Sequence, residues 1–138
     1  MRILGIDFGK VRLGLAISDP TQSIATPLPL LKASKSLDDT IKALLTLISE
    51  KGPIVKIIVG LPLHLSGRDS PMSQLTRTFA EKLELAAHIP VILWDERLTS
   101  AQVERSMQSH GLNRKKRAEL VDSLAAREIL QSYLDSSP

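Results

Sequence analysis

The chain has 138 residues, enough for one domain spanning 1–138, and its content of 43% hydrophobic but 3% aromatic residues calls for an aliphatic core. It contains no cysteine, which excludes disulfides and thiolate metal sites and fits the reducing cytosol. The net charge of +3 admits a nucleic-acid partner without demanding one, and no apolar run approaches the ~18 residues of a membrane span.

Residues 2–8 (RILGIDF) predict a strand that ends at Gly9 and carries one carboxylate, Asp7. Asp7 and Lys10 also interrupt the opening run too soon for a secretion signal. Residues 11–18 alternate, with Val11, Leu13, Leu15 and Ile17 on one side and Arg12, Gly14, Ala16 and Ser18 on the other. Gly9-Lys10 between the two runs predicts a hairpin. After the Asp19-Pro20 turn, residues 24–32 predict a third strand, confined to an edge by Pro27 and Pro29. Residues 37–50 have helical spacing (Leu37, Ile41, Leu44, Leu45, Ile48), with Ser36 as N-cap and Asp38 and Asp39 at the positive end of the dipole. Lys51-Gly52-Pro53 stops this helix. Residues 54–60 (IVKIIVG) read as a central strand buried on both faces.

A polar loop over 63–71 leads into a predicted helix over 73–87, with Leu75, Phe79, Leu83 and Ala86 on one face. Residues 90–94 predict another buried strand, ending on Asp95-Glu96-Arg97. Thr99 or Ser100 caps a helix over 101–109, which His110-Gly111 closes. Residues 113–117 form a basic connection, and the last helix runs over 118–134. This order predicts an α/β domain with a mixed sheet and helices on its faces. The first strand and the two short buried runs are its parallel members.

The carboxylates fall at related places. Asp7 lies near the end of the first strand, and Asp95 and Glu96 follow the last one. Sites of open α/β sheets gather beyond the carboxyl ends of the strands. Asp122 sits beside the packed face of the final helix. Each has a plain reading when taken alone. Asp7 fits a turn or cap, 95–97 a solvated ion pair, and Asp122 an exposed residue near a favourable dipole end. Gathered at one sheet edge, they need a cation, and hard oxygen donors suit Mg²⁺ or Mn²⁺. Two such ions ~3.5–4 Å apart clamp a phosphodiester for attack by water. The bases Arg114, Lys115, Lys116 and Arg117 read either as a solvated connection or as phosphate contacts ahead of a helix N-terminus. His64 reads as a surface residue, His88 and His110 as helix-end residues, and Trp94 as core. Ser66 and Ser70 lack the partners of a hydrolytic triad.

Four blocks, "GIDFGKVRLGLAISD", "IIVGLPLHLSG", "WDERLTSAQVE" and "LVDSLAAREIL", resemble in order the signature blocks of the YqgF family of pre-16S rRNA nucleases, also described as Holliday-junction-resolvase-like. They span nearly the whole chain. The resemblance implies an RNase H-like α/β fold: a five-stranded mixed sheet of order 3-2-1-4-5 flanked by helices, with strand 2 antiparallel. It implies a cytoplasmic, metal-dependent endonuclease using Mg²⁺ or Mn²⁺, in which Asp7, Glu96 and Asp122 match the catalytic, metal-holding carboxylates. Asp95 becomes a further ligand, and Arg97 either pairs with a carboxylate or holds a phosphate. Lys10, Arg12 and the bases at 114–117 become backbone contacts. Gly9 lets substrate or metal approach the backbone, and Gly60-Leu61-Pro62 shapes the neighbouring strand end. His64 stands where the family pattern leads one to expect Asn or another small polar residue. The implied substrate is precursor small-subunit ribosomal RNA at its 5′ end, cut by a monomer or weak homodimer. Three rivals accompany this reading. They are a resolvase of branched DNA, a nucleic-acid-binding module with little catalysis, and a sugar kinase or actin-like ATPase, which needs two such domains.

Overall fold

The computed structural model describes residues 1–99 and 114–136, the latter from the backbone alone over 114–118. Three strands come first: β1 (Arg2–Asp7), β2 (Arg12–Ser18) and β3 (Ala25–Lys32). They are followed by α1 (Leu37–Lys51), β4 (Ile54–Leu61), α2 (Pro71–Ala87), β5 (Val91–Asp95), a 3₁₀ turn (Glu96–Leu98) and α3 (Arg114–Ser136). The strands form one sheet of order β3-β2-β1-β4-β5. β2 is antiparallel to both β1 and β3, whereas β1, β4 and β5 run parallel. This is the mixed sheet that the strand pattern predicts, in the 3-2-1-4-5 order that the family resemblance implies.

The period-2 alternation of the strands divides the core into two layers. Leu4, Ile6, Leu13, Leu15, Ile17, Ile57 and Val59 face one side and pack with Ile41, Leu44 and Ile48 of α1 and Phe79 and Leu83 of α2. Ile3, Ala16, Ala25 and Ile58 face the other side and pack with Ala125, Ala126, Ile129, Leu130 and Leu134 of α3. Residues on the first layer are large and aliphatic, so α1 and α2 ride on full-sized side chains. The α3 layer mixes Ile and Leu with four alanines, and α3 approaches the sheet closely over Gly5 and Gly14. Phe8, just past β1, stacks on Phe79 with ring centroids 4.3 Å apart. Ser36 caps α1 by accepting from the Asp39 N–H at 3.1 Å.

The structure differs from the sequence reading at four places. First, α2 begins at Pro71, two residues early, because Ser70 and Ser73 form a reciprocal capping box and proline suits the first helical position. Second, α3 begins at Arg114, so residues 114–117 are helical rather than connecting; Arg and Lys are good helix formers, and nothing there breaks the helix. Third, β5 is half-buried throughout because it is an edge strand. Fourth, Val11 leaves the alternation and is exposed at the hairpin tip. The helix predicted over 101–109, with His110, lies outside the described residues.

Candidate active site

Asp7 closes β1, where it pairs across the antiparallel ladder with Gly14. A Cβ added at Gly14 would lie 2.2 Å from the carbonyl oxygen of Asp122, so only glycine lets the α3 backbone descend here. The sequence signal for this seat was a glycine in the middle of an alternating strand. The descent brings Asp122 down beside the end of β1. Glu96 arrives from the far side, one residue beyond β5. Its side chain lies in the space that Gly60 leaves: a Cβ at 60 would meet Glu96 Cγ at 3.1 Å and Ile129 Cδ1 at 2.4 Å. Asp7, Glu96 and Asp122 thus line one pocket of about 300 Å³, together with Gly9, Lys10, Arg12, Pro62 and Met72. Pro62 belongs to the Gly60-Leu61-Pro62 stretch expected to shape this strand end, whereas Met72 was not foreseen as a wall and no local pattern in the sequence marks it.

The carboxylates occupy different environments. Asp7 is 7% exposed and Glu96 1%. Asp122 accepts from Arg12 Nε at 2.6 Å, with both side chains one-quarter exposed. Asp95 does not line this pocket. It caps the 3₁₀ turn by accepting from the Arg97 N–H at 2.9 Å, and it accepts again from the Arg97 guanidinium at 2.6 Å. The hydrogen bonds from Arg97 hold the Asp95 carboxyl below its usual range, and Asp95 in turn raises Arg97. The Asp95 carboxylate is engaged by Arg97. Of the two roles weighed for Arg97, the structure displays pairing with a carboxylate. Arg97 Nη1 also donates to the Leu65 carbonyl at 3.2 Å and so clasps the loop between β4 and α2. Gly67, at φ +88°, turns that loop under the guanidinium.

The donor set can be tested against the metal that the sequence suggests. Hard carboxylate oxygens on rigid strand ends suit Mg²⁺ or Mn²⁺. Yet among the described residues no three acidic or histidine side chains form a group ready to hold an ion. At this pocket Asp122 is bonded to Arg12. Lys10 and Arg12 stand on the pocket wall, where phosphate oxygens can reach them. Arg114, Lys115, Lys116 and Arg117 occupy the start of α3, and their side chains lie outside the described residues. His88 ends α2 in the left-handed conformation, and His64 sits in the loop after β4, its N–H donating to the Arg68 carbonyl. Trp94 packs with α3, its indole N–H donating to Ser132 at 3.0 Å.

Comparison with known proteins gives a consistent pattern. The family model described as "RuvX: Holliday junction resolvase" matches residues 1–136. A relative from Protochlamydia amoebophila, named "Putative pre-16S rRNA nuclease", is 47% identical over 98% of this chain and 93% of its own length. A relative of the same name from Methylocella silvestris is 42% identical over 97% of this chain and 82% of its own. Among solved structures, "T. thermophilus RuvC in complex with Holliday junction substrate" superposes with a TM-score of 0.55 at 16% identity. That match covers 98% of this chain and 95% of the other, a likeness of fold.

Proposed function

The chain belongs to the RuvX family, described as Holliday junction resolvases, and from that premise we propose that it is a metal-dependent endonuclease that hydrolyses phosphodiester bonds, with the 5′ end of precursor 16S ribosomal RNA as its substrate. One observation carries the reading: two buried carboxylates and a third on a helix, drawn from three separate elements, line one pocket beside two bases. Asp7 and Glu96 are buried at the ends of β1 and β5, on either side of β4, where a cation-dependent reaction would use them. The rRNA substrate is supported by the names of the relatives at 47% and 42% identity.

Asp7, Glu96 and Asp122 are the residues that would hold Mg²⁺ or Mn²⁺. When bound, such an ion supplies the Lewis acidity that activates the attacking water and stabilises charge on the leaving oxygen. The strand ends fix Asp7 and Glu96, so their oxygens stay in place through the reaction. Lys10 and Arg12 neutralise backbone phosphates at the mouth. These contacts orient nucleic acid without reading its sequence.

The resolvase reading is favoured by the family description and differs in one requirement. Cutting a two-fold junction symmetrically takes two copies of the pocket. The test sets a precursor 16S rRNA fragment beside a four-way DNA junction, with wild type and Asp7→Asn, each in Mg²⁺, Mn²⁺ and EDTA. Cleavage of RNA alone, lost in the variant and in EDTA, is the expected result. Cleavage of the junction alone moves the assignment to DNA. Retention of RNA with no cleavage in any metal overturns the catalytic reading.

A further inference from the structure

Arg12 and Asp122 are 110 residues apart in the chain, yet Arg12 Nε donates to Asp122 Oδ2 at 2.6 Å on the pocket wall. Both side chains are one-quarter exposed, so the pair is partly withdrawn from solvent screening. The bond has a cost for metal binding. It occupies a carboxylate oxygen and sets a positive charge beside the place a divalent ion would share with Asp122. Asp122 therefore lines the pocket with Asp7 and Glu96 while one of its oxygens is held by Arg12. A guanidinium is also the side chain best matched to phosphate oxygens, so the same group has a second partner in any nucleic-acid substrate.

The geometry points to Arg12 as a positioning residue that withholds Asp122 from the metal until a backbone phosphate draws the guanidinium away. This rests on the nuclease reading. Phosphate binding and cation binding are then positively coupled, each strengthening the other by the same factor. The chemistry assembles only when substrate is present, and the ion is held loosely in between.

The test reads Mn²⁺ affinity by electron paramagnetic resonance on the full chain without nucleic acid, so turnover does not enter. Arg12→Gln is expected to bind Mn²⁺ about three- to tenfold more tightly than wild type. Lys10→Gln removes a charge from the same pocket wall without touching the Arg12–Asp122 bond, and should give a smaller gain. Arg12→Lys, which keeps the charge, should stay near wild type. Adding Asp122→Asn to Arg12→Gln should erase the gain. Sulfate, a tetrahedral oxyanion standing in for phosphate, should tighten Mn²⁺ binding to wild type and not to Arg12→Gln, with ionic strength matched by chloride. The inference is overturned if Arg12→Gln gains no more than Lys10→Gln, if the gain survives Asp122→Asn, or if sulfate leaves wild type unchanged. Should Mn²⁺ bind wild type, be lost in Asp7→Asn, and yet ignore Arg12→Gln, the latch fails and the nuclease reading stands. Should no variant bind Mn²⁺ at all, both fall.

Discussion

A buried carboxylate costs several kcal/mol in its charged form unless its surroundings compensate. Asp7 and Glu96 are both buried, and neighbouring groups engage each of them. If they exist for chemistry, relieving the charge should cost function and not stability. Asp7→Asn keeps the shape and removes the charge. Its thermal midpoint in EDTA should equal or exceed that of wild type, while Mg²⁺-dependent cleavage falls by at least about 100-fold. A drop in midpoint with cleavage intact would make Asp7 a structural residue. Asp95 belongs to the opposite category. Arg97 lowers its pKa, so the bond contributes above the unfolded carboxylate value of roughly 3.9 and is lost as pH falls through the lowered folded value. The dependent structure is the loop held through Leu65. Hydrogen exchange over residues 63–70 should therefore show steady protection from pH 7 to about 4 and lose it below that. Asp95→Asn should lose the same protection at neutral pH. Protection that ignores both acid and the variant would remove the clasp.

At the scale of elements, the site depends on how closely α3 lies on β2. Gly14 sets that distance, with the Asp122 carbonyl oxygen where a methyl would go. Gly14→Ala should cost about 1–3 kcal/mol, because the obstruction is backbone and cannot rotate aside. It should also lift Asp122, so cleavage per folded molecule should fall even at temperatures where the variant is fully folded. A variant with lowered stability and wild-type cleavage would separate the seat from the site. This contact marks the boundary of what the sequence disclosed. Strand types and the α1 cap were legible because each rests on a local signal: alternation, an all-apolar run, a Ser three residues before an Asp N–H; the order of the strands came only with the family resemblance. Asp7, Glu96 and Asp122 were legible as candidates because strand ends are where such sheets place chemistry, and because the chain resembles a family whose blocks carry them. The Arg12–Asp122 bond was not, since partners 110 residues apart meet only through the docking of α3. The same holds for Asp95, whose neighbour Arg97 was visible but whose choice between metal and guanidinium depends on where the turn aims it. The start of α3 was missed for a different reason: a run of bases reads equally as loop or helix until its neighbours fix it.

Across the whole molecule, the sheet separates two cores with unequal duties. One is built on α1 and α2, the other on α3, and the pocket lies at the strand ends between them, walled by Phe8 and Met72 of the first and by Asp122 of α3. The α3 core does more than stabilise. Ile129 fills the space over Gly60 that Glu96 shares, so its packing sets where that carboxylate rests. Leu44, equally buried, lies in the opposite core among Leu4, Ile6 and Phe79. Ile129→Ala and Leu44→Ala should each cost about 2–5 kcal/mol, the range for truncating a buried aliphatic side chain to alanine. Loss of stability alone therefore does not distinguish them. Cleavage measured well below both melting midpoints does. Leu44→Ala should retain wild-type activity per folded molecule, because the sheet stands between its cavity and the carboxylates. Ile129→Ala should lose activity several-fold, because the cavity opens against Glu96 and lets its side chain wander from the strand end. Equal activity in the two variants would mean that the strand ends alone hold the carboxylates, and that α3 contributes Asp122 and nothing to the placement of Glu96.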